Sequence, residues 1–249
     1  MSRSVSLSHL RAQLSPRGPV LRSPTARLFD IPATGRGAMF SSEAVHEVYA
    51  ASVNQGAAAE GFALGLALRT TGALVWIHED RGRHETGTLY GSGLREWGVE
   101  TGDLLLVRVP DTSALLAAGE EALRSGSSAA VLMSGWGESR AWSLTASRRL
   151  SLAAAAGRTT AVFVRTGAQP QPSASDTRWS VRAIPSRALE AGAPGRPAFR
   201  VSLLRSRAGV APGEWIMEWD RDARSFVEPK TSGGLVSTPA HRPSGIRAA

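Results

Sequence analysis

The sequence predicts an α/β fold: a mostly parallel central sheet flanked by helices, with antiparallel strands added at its C-terminal side. Through the first two thirds of the 249 residues, short continuous apolar runs alternate with helix-length stretches. That is the pattern of strands buried on both faces and joined by crossover helices. In the last third, apolar residues alternate singly with polar ones, as in half-buried antiparallel strands. A chain of this length buries a sizeable core without staples, and with no cysteine it has none.

Residues 44–49 read as a short strand, followed by a small-residue turn and a helix over 56–69 that carries Phe62, Leu64, Leu66 and Leu68. Residues 74–77 and 104–109 are buried strands by their continuous apolar character. Helices fit 88–97 and 113–125, the second opened by Asp111 or Thr112 as cap. A strand over 129–133, a helix over 144–156 and a strand over 160–164 continue the rhythm. Then come three alternating segments: 178–184 through Trp179, Val181 and Ala183; 198–205 through Phe199, Val201 and Leu203; 214–220 through Trp215, Met217 and Trp219. All three are expected to be antiparallel. The links 168–175 and 190–197, rich in Pro, Gly and Ala, read as mobile loops.

Three units follow. Residues 1–27 form a basic, largely flexible segment with a short helix near 7–14; its composition is shared by transit peptides, but Pro16, Gly18, Pro19 and Pro24 break any longer amphipathic helix. Residues 28–228 form the folded domain, and 229–249 carry too little apolar content to fold. No stretch approaches the ~20 apolar residues of a membrane span, so a soluble protein without membrane contact is expected.

Of the 29 basic side chains, 28 are arginine and the lone lysine is Lys230. This excludes Schiff-base chemistry and a phosphate-gripping lysine within the fold. Charge is segregated along the chain. Residues 43–138 hold six arginines against thirteen acids, whereas 139–212 hold twelve arginines against Asp176 and Glu190 alone. Such a division suggests a face that meets a polyanion.

The strand-turn-helix at 44–69 is where an α/β protein normally holds phosphate. In the nearest register of Gly-x-x-x-x-Gly-Lys-Ser/Thr, Ala51 takes the first glycine, Gly56 the second, Ala57 the lysine and Ala58 the metal-binding hydroxyl. Every group with side-chain chemistry has gone, so no cofactor is expected. His78-Glu79-Asp80 and His84-Glu85 lack the four-residue histidine spacing of a zincin helix and read as a solvated loop. Ser134-Gly135-Trp136-Gly137 is a strand-to-loop turn rather than a nucleophile elbow, because Leu132 stands where the elbow needs glycine.

Several collinear segments carry a family resemblance. They are Glu47-Val48-Tyr49, residues 74–80, Leu89-Tyr90-Gly91 through Gly98-Val99, and Leu104-Leu105-Leu106-Val107 with Pro110-Asp111-Thr112. Further along come residues 121–126, 144–150, 179–185 and 199–212. Over about 28–228 the chain resembles the RecA recombinase core, and more closely the RecA-like ImuA proteins of bacterial mutagenesis cassettes. The resemblance implies a RecA-like core, and it also exposes departures. Ser134 stands where RecA has a metal-holding aspartate, and the water-activating acid falls near Glu79 or Asp80, with no nucleotide grip to serve. The implied role is that of a non-catalytic accessory in SOS mutagenesis and translesion synthesis in the bacterial cytoplasm, nucleoid-associated when active. Its implied partners are an ImuB-like Y-family polymerase homologue, RecA, single-stranded DNA and, indirectly, an error-prone replicative polymerase.

Loops that face single-stranded DNA in RecA-like proteins make Arg140, Arg165 and Arg178 candidates for phosphate contact, joined by Arg148, Arg149 and Arg182; Arg205 and Arg207 are candidates for a protein partner. Trp136 and Trp142 flank Arg140 and either stack on a base or pack in the core. Two other readings compete: a residual nucleotide-dependent recombination ATPase, and a basic DNA-binding module unrelated to mutagenesis.

Overall fold

Apolar runs too short for helices and bounded by turn residues build one nine-stranded sheet. The computed structural model describes residues 40–189 and 193–229, so the expected helix near 7–14 and the tail beyond 229 lie outside the described residues. The strands are β1 (Val45–Ala50), β2 (Leu74–Glu79), β3 (Leu104–Val109), β4 (Ala130–Trp136), β5 (Thr160–Thr166), β6 (Thr177–Ala183), β7 (Ala198–Ser206), β8 (Gly213–Asp220) and β9 (Ser225–Val227). They lie in the order β3-β2-β4-β5-β1-β6-β7-β8-β9. Pairing is parallel from β3 to β6 and antiparallel from β6 to β9.

The helices are α1 (Gly56–Ala67), α2 (Asp80–Thr86), α3 (Gly91–Glu96), α4 (Thr112–Ser125) and α5 (Leu144–Gly157). Asp111 caps α4 by accepting from the Ala114 amide at 2.9 Å, and Ser143 caps α5 through Ala146 at 3.2 Å. On one face of the sheet, α1 packs into an aromatic cluster of Phe40, Phe62, Trp179, Phe199, Trp219 and Phe226. The opposite face is covered by α4 and α5 through Leu115, Leu123, Leu150 and Ala154, which meet Val131, Met133 and Phe163.

The structure corrects four expectations. β6 is antiparallel only to β7; its other neighbour is β1, and that pairing is parallel. Singly alternating polarity reports a half-buried strand and does not report the direction of its neighbour. The connection 167–176 is consequently a crossover, running from the end of β5 back to the start of β6 beside His46. Instead of a mobile loop it is a pinned one. Ser173 and Ser175 are buried, the Ala174 amide donates to Ser147 Oγ at 3.0 Å, and the Asp176 amide donates to the Val45 carbonyl at 2.8 Å. His78 and Glu79 belong to β2 and Asp80 opens α2, so the expected solvated loop is strand and helix. Ser134 to Trp136 are the last residues of β4, and the turn comes at Gly137, whose φ is +71°.

A neutral hydrogen-bond chain ties the start of β1 to β6. His46 is fully buried. Its Nε2 donates to the Ser41 carbonyl at 2.9 Å, which leaves Nδ1 to accept from Thr177 Oγ1 at 2.8 Å, and Thr177 in turn accepts from Trp179 Nε1 at 2.7 Å. Burial lowers the His46 pKa to about 4, against smaller raising effects of the Ser41 carbonyl and Asp176. A folded-state pKa below the unfolded one means that the unfolded chain binds the extra proton, so stability falls as pH drops from about 6.5 towards 4. The loss attributable to this residue is about 3 kcal/mol. Urea denaturation across that range should show the pH slope reduced by about one proton in His46→Gln; identical slopes in both proteins would refute the assignment.

Candidate functional site at the carboxyl ends of the strands

In an open α/β sheet, ligands bind beyond the carboxyl ends of the strands. Here the β1–α1 turn is closed by its own chain. Val53–Gln55 forms a single tight helical turn, the Ala51 amide donates to the Val181 carbonyl at 2.9 Å, and Gln55 Oε1 accepts from the Ala183 amide at 2.7 Å. These bonds bind the turn to β6. Gly56 is the first residue of α1, and the next two positions, Ala57 and Ala58, offer a phosphate only backbone amides.

The acids that metal or water would need are equally committed or missing. Ser134 shares the α1 face of β4 with Leu132 and accepts from Trp76 Nε1 at 2.9 Å. A buried indole thus meets the hydroxyl at the position the resemblance assigns to a metal-holding acid. Glu79 lies on the opposite face with Val75 and Ile77, where one carboxylate oxygen accepts from Thr112 Oγ1 at 3.1 Å and from the Trp136 amide at 3.3 Å. Asp80 accepts from Arg108 at 2.7 and 2.9 Å.

On the α1 face, a cleft of about 490 Å³ opens between α1, the end of β2 and the segment leading into α3, with Glu60, Trp76, His78, Tyr90, Trp97 and Pro197 among its walls. His78 Nε2 and Glu60 Oε1 are 2.9 Å apart. Burial lowers the His78 pKa, but the hydrogen bond and charge of Glu60 outweigh it, and the net shift is upward. Sequence reasoning missed this pair because its members lie on different elements, eighteen positions apart. Among the described residues no group of three or more His, Cys, Asp or Glu side chains is placed to hold a metal ion.

The arginine candidates separate by burial. Arg165 is 1% exposed, which takes it out of reach of a DNA phosphate. Arg178 is enclosed as well: its Nε donates to Glu47 at 2.9 Å, and its Nη2 to Ser173 Oγ at 2.9 Å and to the Gln171 carbonyl. Arg149 is shared with Glu120. Arg140, Arg148 and Arg182 are exposed, and neither Arg140 nor Arg148 forms an ion pair among the described residues. Arg182 lies within electrostatic reach of Glu214. Arg205 donates to the Ser173 and Ser175 carbonyls at 3.4 and 3.1 Å, and Arg207 to the Ala174 carbonyl at 3.3 Å. Arg178, Arg205 and Arg207 therefore converge on the same crossover, which they hold in place. Trp142 is buried in the core beside Phe163, so it offers no stacking surface, and Trp136 is half-buried.

No family model matches the chain, and no curated protein matches it. Among solved structures, the crystal structure of SulA from Pseudomonas aeruginosa is similar at 22% identity with a TM-score of 0.37, covering 49% of this chain and 96% of that one. At that score the likeness decides nothing about the site. Among the described residues no helix is long and apolar enough to cross a membrane.

Proposed function

We propose that this chain is a non-catalytic RecA-like accessory of SOS-induced mutagenesis and translesion DNA synthesis, acting by contact with an ImuB-like homologue of Y-family polymerases. The observation that carries this reading is the β1–α1 turn. Strand, turn and helix are kept while lysine, hydroxyl and acid are lost together, and the Ala51 amide and Gln55 side chain of the turn are bonded to β6. A nucleotide-hydrolysing site lacking all three has no means to hold magnesium or polarise a phosphate. Retention of the scaffold without its chemistry points to a surface role. The collinear resemblance over 28–228 supplies the family context and the further partners: RecA, single-stranded DNA and, through the polymerase homologue, an error-prone replicative polymerase. For DNA, the exposed arginines Arg140, Arg148 and Arg182 are the phosphate contacts of this proposal, and Arg205 and Arg207 lie on the surface offered to a protein.

Titration calorimetry with ATP and Mg²⁺ is expected to give no stoichiometric binding and no turnover; binding with turnover would instead make the chain a residual recombination ATPase. Deletion of the gene should lower ultraviolet-induced mutation in the host, and an unchanged frequency would sink the proposal. Replacing Arg140, Arg148 and Arg182 together by alanine should reduce the salt slope of single-stranded DNA binding by up to ~2. Salt-dependent DNA binding with no protein captured from damaged cells would favour a basic DNA-binding module.

A further inference from the structure

We propose that Arg165, Trp142 and Tyr49 form a buried site for one small monovalent inorganic anion of the chloride class. Charge balance is the first reason. Behind the carboxyl ends of β1 and β5 lie two enclosed guanidinium groups, Arg165 and Arg178, and one fully buried carboxylate, Glu47. Glu47 is spent: one oxygen accepts from Arg178 Nε at 2.9 Å and the other from Ser175 Oγ at 2.6 Å. For Arg165 the carboxylate within 4 Å among the described residues is that of exposed Glu138, whose Oε2 forms a long ion pair with Nη2 at 3.9 Å while its Oε1 accepts from the Gln169 amide at 2.6 Å. The buried Arg165 charge is thus balanced only by a long contact to a solvent-exposed carboxylate, a costly arrangement for an enclosed cation.

The unsatisfied groups are the second reason. Two buried side-chain donors without a hydrogen-bond partner, Arg165 Nη1 and Trp142 Nε1, belong to side chains packed together, with the Tyr49 ring beside them. The Arg165 guanidinium carbon lies 5.8 Å from both the Tyr49 and the Trp142 ring centroids. Guanidinium and indole N–H groups can only donate. The phenol also keeps its proton, because burial, the nearby Glu47 charge and a hydrogen-bonding contribution from Glu47 raise its pKa to about 12 against the pull of Arg165 and Arg178, so its hydroxyl is a donor shared with Glu47. Two buried donors with nothing to receive them, Arg165 Nη1 and Trp142 Nε1, on a cation balanced only at long range, are the chemistry of an anion site.

Size follows from burial. All three side chains are 2% exposed or less, so a nucleic-acid phosphate or a partner's carboxylate has no approach, whereas a single small ion needs none wider than itself. Cation–π contacts with Tyr49, Trp142 and Phe163 at 5.4 to 5.8 Å relieve part of the charge. They leave Nη1 without an acceptor. An ion here would brace the loop after β4, through Gly137 and Trp142, against the crossover after β5.

The experiment is thermal unfolding of the full chain at constant ionic strength, with sodium chloride or bromide titrated against sodium gluconate, alongside bromide anomalous diffraction from crystals. A saturable rise in Tm with halide and an anomalous peak in contact with Arg165 Nη1 are expected. Arg165→Met should abolish the halide response. Trp142→Phe keeps the ring and removes one donor, so it tests the site even where the arginine variant fails to fold, and its halide midpoint should weaken about tenfold or more. A Tm that follows ionic strength alone, a Trp142→Phe midpoint equal to that of the parent, or bromide only at other positions would overturn the proposal.

Discussion

Glu47→Ala is expected to cost about 3–5 kcal/mol of folding stability, the penalty for breaking a buried pair by removing one partner. The carboxylate has no solvent exposure and is the acceptor for both Arg178 Nε and Ser175 Oγ. Its loss strands Arg178 beside Arg165 with no buried counter-charge and frees the crossover at Ser175. Glu47→Gln keeps an acceptor for one neighbour and should fall between the parent and the alanine variant. The double variant Glu47→Leu/Arg178→Met removes both charges and should recover much of the loss, because a matched apolar pair often replaces a buried ion pair at little cost. Urea denaturation checks all three. A Glu47→Ala loss below about 1 kcal/mol would mean that the pair is solvated and that the arginine network described above is wrong.

That network also explains which features of the molecule were legible in its sequence. Strands β1 to β5 and helices α1, α4 and α5 are local patterns of apolar residues, and each emerged within a few positions of its predicted bounds. The strand, turn and helix around Ala51 to Ala58 were equally readable, because an apolar run, a small-residue turn and an apolar helix follow one another directly. Charge segregation was visible, but the pairing of individual arginines was not. Arg149, Arg158 and Arg178 of the basic stretch pair with Glu120, Glu43 and Glu47 of the acidic one, across the fold. Glu47 and Arg178 are 131 positions apart and meet only because β6 lies beside β1. No periodicity encodes that adjacency. The three residues of β9 and the polar run of α2, Asp-Arg-Gly-Arg-His-Glu-Thr, carry too little apolar pattern to announce themselves.

The second large effect is expected at Gly157, the last residue of α5. A Cβ built there would lie 1.7 Å from the Leu123 carbonyl oxygen and 2.8 Å from its carbon, in the last turn of α4. The obstacle is backbone rather than a side chain that can rotate away, so Gly157→Ala must push the helices apart where they close together, at a cost of about 3 kcal/mol or more. Gly126 faces the same contact from the other side, at a φ of +61°, with the Gly157 carbonyl 3.0 Å from where its Cβ would be. The damage would reach the crossover, because α5 carries Ser147 and Ser151, whose hydroxyls bond to Ala174. Gly91→Ala is the matched control: nothing lies within 4 Å of its Cβ position, and its stability should be unchanged or slightly raised. Equal denaturation midpoints for the two variants would show that α4 and α5 do not pack as closely as the Gly157 contact requires.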